Sequence, residues 1–294
     1  MIHIEHFTFN AFQTRCSVVW GDTSVCAIVD PGCSSEAELS QLVSFISVRG
    51  LKPACILLTH AHFDHIYGVS ALVSLYGRDL PGGLPVYMHP EESYTLENTN
   101  PYVCKAYGLP LPDTSFAGVG DASAKAAAEG SAAGTAGDSA AMPTDNGAVV
   151  PAGDSVIPAG DGAVVPAGDS AEDSAVIPTV DGAVIEVGTL RFEVIFTPGH
   201  SRGGVCYYEP AEKVLFSGDT LFAGAIGRTD HPGGDYDQLM NSILTRLLPL
   251  DDAPAATSRH TSVTVIPGHG PCSDLATEGM TNPFLLPFNE PYDD

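Results

Sequence analysis

Basic residues are scarce in this chain. Lys and Arg together number 12 against 36 Asp and Glu, giving a formal net charge of −24 over 294 residues. Nucleic acid and anionic membrane both require a basic surface, so neither is an expected partner. Long apolar runs are missing too, and none approaches the ~20 residues needed to span a bilayer. The first residues, "MIHIEHFTFNAFQTRC", show no basic flank leading into an apolar segment, the pattern of a secretory leader. The seven cysteines include no CxxC pair and are odd in number. That argues against a disulfide framework and for reduced thiols in a cytoplasmic protein, with the cysteines serving as small buried apolar residues.

Aromatic side chains are absent from Ala117 through Arg191. Ala, Gly, Asp, Ser and Pro dominate there, and positions 113–181 hold 11 acidic residues and one lysine. The stretch repeats itself. "GAVVPAGDS" occurs at 147–155 and 162–170, and "VIPAGDGAV" at 156–164 returns as "VIPTVDGAV" at 176–184. So little apolar surface does not offset the entropy of ordering, so 113–181 reads as a disordered low-complexity insert. Its regular Val-Val and Val-Ile pairs leave a small irregular β-coil as the alternative. On either side, 1–112 and 182–294 alternate strand and helix signals. "ACILLTH" reads as a buried strand, "SSEAELSQLVSFISVRG" as a Ser-capped helix, and Ile66, Val69, Leu72 and Val73 have helical spacing.

Four segments share one form, a strand signal ending in a group that can bind metal. They are "LLTHAHFDH" (His60, His62, Asp64, His65), "FTPGHS" (His200), "LFSGDTLF" (Asp219) and "VIPGHG" (His269). Five of the ten histidines lie in them. A side chain just beyond a buried strand is rigidly held, and glycines beside it let the backbone come close. His60 and His62, two apart, point the same way in extended chain and can reach one metal. His65 breaks that alternation, so a turn there aims Asp64 and His65 at a second point nearby. Two adjacent cations follow, with a carboxylate such as Asp219 able to bridge them. Taken alone, Asp64 would read as a helix cap, and His200 and His269 as turn residues. His3 and His6 are expected on an edge strand, and His231, in the loop after Asp219, at the surface, with a position facing the substrate as the alternative. Arg228 and Asp230 are expected to pair, with substrate binding as the alternative for Arg228. Phe63, between ligands, is a candidate pocket wall.

"THAHFDH" followed in order by "TPGHS", "SGDTLF" and "PGHG" resembles the metallo-β-lactamase superfamily across the chain outside the insert. The resemblance implies an α/β fold, the four-layer αββα sandwich, with its site at the sheet edges. His60, His62 and His200 would bind one metal, Asp64, His65 and His269 a second, and Asp219 would bridge. Asp30, in "VDPG", would support the histidines from behind. "DTLFAGAIGRTDHPGGD" at 219–235 and "MTNPFLL" at 280–286 are similar to the glyoxalase II-like branch, whose members hydrolyse thioesters. That branch implies two divalent metal ions, zinc first with iron or manganese as alternatives, and a small-molecule thioester or ester substrate. Water ionised between the metals would attack the thioester carbonyl, with Asp64 orienting it. Glyoxalase II proper adds a C-terminal helical domain that helps bind glutathione. Only 25 residues follow His269 here, so a compact hydrolase with another thiol carrier is expected. The rivals are a mono-iron persulfide dioxygenase, which shares a GRTD-type loop, and a non-catalytic binding module of the same fold.

Overall fold

Val18 and Val19 adjoin in sequence yet belong to different cores. Both lie on β2 (Thr14–Trp20), where successive side chains point to opposite faces of a sheet. Val18 packs with Leu42, Ile46 and Leu72 from helices, while Val19 packs with Phe192, Tyr207 and Phe216 from another sheet. A computed structural model describes residues 1–118, 175–252 and 262–286 and shows this division throughout. A third apolar layer joins Cys206, Leu215 and Val265 of the second sheet to Leu239, Ile243 and Leu275. Three apolar layers separate four structural ones, in the order helix, sheet, sheet, helix. Each fully buried Leu, Val or Phe contributes roughly 1.5–3 kcal/mol, so these layers hold the sandwich together.

The first sheet has the order β1 (His3–Phe9), β2, β3 (Val25–Val29), β4 (Lys52–Leu57), β5 (Val86–Met88), β6 (Val176–Pro178). The second holds β7 (Val184–Val187), β8 (Leu190–Phe196), β9 (Val205–Glu209), β10 (Val214–Gly218), β13 (Thr264–Pro267) and β14 (Ser273–Asp274). A short hairpin, β11 (Leu221–Phe222) and β12 (Ala225–Ile226), stands apart. Helix α1 (Glu36–Val48) starts at Ser35, whose hydroxyl accepts the Glu38 amide, and its first turn is acidic as the helix dipole favours. The helical spacing after Asp64 is split between α2 (Phe63–Ile66) and α3 (Val69–Tyr76). Gly68 lies at the break, where a Cβ would run into the Cys33 sulfur. α4 (Asn100–Tyr107), α5 (Tyr236–Ser242) and α6 (Leu275–Thr281) are the other α-helices among the described residues.

The ends of the range 113–181 belong to the fold. Phe116 is buried in the helix-side core, and β6 pairs in parallel with β5. The repeats between them lie outside the described residues, as does His260. His3 and His6 are on β1, at the edge of the first sheet, as expected. The cysteines are free thiols, six of them buried, but Cys272 is exposed. It departs from the expected burial because it lies in the turn after β13, its sulfur 2.7 Å from an Arg15 guanidinium nitrogen. No helix among the described residues is long and apolar enough to cross a membrane.

Strand direction positions the site. β3 and β4 run parallel, and so do β10 and β13. β8 is two antiparallel steps from β10 and therefore runs the same way as it. These strands carry Asp30, His60, His200, Asp219 and His269 just past their C-terminal ends, at one edge of the sandwich.

Candidate metal centre

After β4 the chain continues extended through His60 and His62, and His62 occupies the cap position of α2. Asp64 and His65 follow in the first turn of that helix, which rotates them away from the His60–His62 pair. Gly268 stands between the strands' ends, and a Cβ there would run into Asp219 Oδ1 and come within 2.8 Å of the His65 ring. Only glycine lets β13 approach this closely.

Two donor sets result. His60, His62 and His200 offer nitrogens that all lie within 4.8 Å of one another, and so do the donors of Asp64, His65 and His269. His200 Nε2 is 2.9 Å from His62 Nδ1, and His65 Nε2 is 3.2 Å from His269 Nε2. Two nitrogens on one tetrahedral zinc stand about 3.3 Å apart, given bonds of roughly 2.0–2.1 Å, so these spacings suit ligands of an ion. Asp219 lies between the sets. Its Oδ1 is 3.5 Å from His65 Nε2, and its Oδ2 is 3.5 Å from His200 Nε2 and 3.4 Å from His269 Nε2.

Hydrogen bonds around the rings fix which nitrogen faces inward. His200 Nδ1–H donates to the Arg228 carbonyl at 2.8 Å, and His269 Nδ1–H to the Phe12 carbonyl at 3.0 Å. A carbonyl only accepts, so both rings keep Nε2 free for a metal. The Thr59 hydroxyl donates to Asp30 Oδ2 at 2.6 Å, and therefore accepts from His60 Nδ1–H at 3.1 Å. His60 Nε2 is left bare. Asp30 also accepts the Thr59 amide and lies 3.2 Å from His65 Nδ1, close but poorly aligned for a hydrogen bond. It does this from a left-handed backbone, φ 46°, a strain that persists only when neighbours enforce it. Seven buried side-chain polar atoms lack a hydrogen-bond partner among the described residues, and six belong to His60, His62, His65, Asp219 and His231. Buried polar atoms are normally satisfied, so this concentration fits groups that bind an ion.

The two sets differ electrically. Burial first, then the charge of His65, holds His60 well below the ordinary histidine range. Burial and His200 do the same to His62, and burial takes His200 down to about 4. Burial also disfavours charge on His65, but the carboxylates of Asp64, Asp219 and Asp30 outweigh it and raise the group to about 9. His269 is raised too, its burial overcome by Asp219 and Asp64. Burial opposes charge on Asp64 and Asp219, yet His65 and His269 hold both carboxyls low.

Every residue expected at the site is at or beside this edge. Phe63, buried, meets Phe12 and Tyr67 edge-on at 5.0 and 5.8 Å. Arg228 pairs with Asp230 at 2.7 Å, and its backbone carbonyl, not its guanidinium, touches His200. His231 corrects the surface-loop expectation. Its ring nitrogens are buried, and the ring packs 4.7 Å from His62 and 5.0 Å from His200. Sequence reading also missed Thr14, whose buried hydroxyl donates to Asp64 Oδ2 at 2.7 Å, and Glu92 and Asn100, which hold the backbone between His60 and Phe63. They are ordinary polar residues with no motif of their own.

The fold and the paired His/Asp sets define a metal-dependent hydrolase of the αββα class. Residues 9–269 match the model of the metallo-beta-lactamase superfamily, and the chain belongs to that superfamily. It is 28% identical to hydroxyacylglutathione hydrolase GloC of Haemophilus influenzae over 97% of this chain and 98% of that protein. It is 31% identical to the probable metallo-hydrolase YqgX of Bacillus subtilis, covering 90% and 89%. Among solved structures it is similar to TTHA1623 in a di-iron-bound form, with TM-score 0.59, 29% identity, and 96% and 100% coverage.

Proposed function

We propose that this metallo-hydrolase is a thioester hydrolase of the hydroxyacylglutathione hydrolase type. In this reading His60, His62 and His200 hold one divalent ion, Asp64, His65 and His269 hold a second, and Asp219 is shared. The position of Asp219 carries the reading, because its two oxygens reach histidines of both sets at 3.4–3.5 Å. A mono-iron centre would leave the Asp64, His65 and His269 set without a purpose. Similarity to GloC along nearly the whole chain supports the thioester substrate.

When bound, two such ions supply an acidified water near neutral pH and a Lewis-acidic pole for a carbonyl oxygen. Asp64 is held by the Thr14 hydroxyl in one orientation, from which it would accept a proton of the water and orient it. Phe12, Phe63 and Tyr67 form an apolar wall on that side, suited to the acyl part of a substrate. Arg228 stands beside the site with its guanidinium held by Asp230, so a substrate carboxylate would have to compete with that pair to bind it. A thiolate whose conjugate acid has a pKa of ~8.5 departs without a dedicated proton donor. Zinc suits these nitrogen and oxygen donors, and iron or manganese accepts the same set. Six buried thiols, with no disulfide among the described residues, support a cytoplasmic setting.

Elemental analysis of purified protein, run beside an S-lactoylglutathione hydrolysis assay, tests the proposal. Two ions per chain with thioester turnover are expected. One iron per chain with oxygen consumption would replace it with the persulfide dioxygenase. Bound metal without turnover of any thioester or ester would make the chain a binding module.

A further inference from the structure

Glu92 is a carboxylate with no exposed surface, far in sequence from every ligand-bearing segment. Its Oε2 accepts the Ala61 amide at 2.7 Å, and Ala61 lies between His60 and His62. Its Oε1 accepts the Ser201 hydroxyl at 2.5 Å and the Gly203 amide at 2.9 Å, and Ser201 follows His200 directly. One side chain thus ties together the two loops that carry the histidine triad, loops that come from different sheets. The approach is close enough to require glycine at 203, where a Cβ would lie 2.7 Å from the Glu92 nitrogen. Asn100 braces the same loop by donating to the Ala61 carbonyl at 2.8 Å and accepting the Phe63 amide at 3.0 Å. Among the described residues, no hydrogen bond joins Glu92 to Asp64, His65 or His269.

We infer that Glu92 is a positioning residue, the pin that fixes His200 against the His60–His62 pair and so sets the affinity of the triad for its ion. The inference rests on the proposed two-ion reading of the site. It concerns one ion only, which separates it from a general contribution to stability. Glu278 is a suitable control. It too is a buried carboxylate, accepting from the Gly224 amide at 2.9 Å and from Asn282 at 2.8 Å, and it bonds to Ser273, but it ties no triad loop.

Glu92→Gln keeps the shape, but whichever way its amide turns, the N–H₂ meets a backbone N–H, that of Ala61 or that of Gly203. Stepwise zinc affinities are measured by competition with a chromophoric chelator for the wild type, Glu92→Gln and Glu278→Gln. The step abolished by His62→Ala identifies the triad ion. Glu92→Gln is expected to weaken that step about tenfold or more and leave the other step within about threefold, as outer supports of ligands do. Glu278→Gln is expected to leave the ratio of the two steps unchanged. Equal loss at both steps in Glu92→Gln, or no loss at either, would overturn the inference. Should Glu92→Gln fail to fold, Ser201→Ala removes the shorter of the two bonds on the His200 side of the pin and leaves the Ala61 side intact, and a triad step unchanged in that variant overturns it equally. A wild type that binds no zinc, or a single ion, would instead sink the two-ion reading itself.

Discussion

The two halves of the cage use different chemistry to hold an ion. The triad of His60, His62 and His200 has three imidazoles kept neutral by burial. The other half sets two imidazoles beside Asp64 and Asp219, and those carboxylates draw protons onto His65 and His269. Their Nε2 atoms lie 3.2 Å apart, within reach of a shared proton. An ion entering the triad therefore displaces little, whereas one entering the second half must compete with a proton. The contrast predicts that, where two ions bind, a bare pocket and a protonated one sharing a carboxylate load in order, triad first.

Substitution of Asp219 should break the contrast most completely, because it serves both halves. Asp219→Ala is expected to lower thioester turnover about 10³-fold, the equivalent of several kcal/mol, and to reduce bound metal below two per chain. Elemental analysis beside steady-state kinetics checks both. Thr59→Val acts on the triad directly and reaches the other set only through Asp30. It removes the hydroxyl that keeps the His60 proton on Nδ1, so triad affinity should fall about 10–100-fold with the second step nearly unchanged in chelator competition.

Acidity sharpens the same contrast. The second zinc is expected to bind about tenfold more weakly for each unit the pH falls below neutral, and the triad zinc much less steeply. Stability of chelator-treated protein should follow the corresponding sign. A histidine raised to about 9 contributes stability fully below its ordinary value near 6.5 and loses it as pH rises through about 9. Denaturant midpoints of the stripped protein should therefore decline between those values, while those of the zinc-loaded protein hold. The smallest effect is expected from Thr14→Ala, which frees Asp64 without removing it. Loss of one hydrogen bond to a charged group should lower kcat roughly tenfold, with KM nearly unchanged.

The two donor sets were legible in the sequence because each member is a rare residue type placed just after an apolar strand, and strand direction brings them to one edge. The division into layers followed from alternation of the kind seen at Val18 and Val19. What supports the ligands was not legible. Glu92 lies 31 residues from Ala61 and 109 from Ser201, so no local pattern links them. His231 belongs to a turn-rich loop, and only the packing of that loop puts its ring on His62. The strand β6 shows a different limit. "VIP" occurs at 156–158 and again at 176–178, and identical residues do not reveal that the later copy pairs with β5. The break at Gly68 escaped for a similar reason, since Ile66 and Val69 keep helical spacing across it.

Calorimetric titration of chelator-stripped protein with zinc at pH 7, repeated in buffers of different ionisation enthalpy, counts the protons released at each step. Two binding steps are expected, the first releasing almost none and the second about one. A single step, or two steps with equal proton release, would contradict a cage built from two unlike halves.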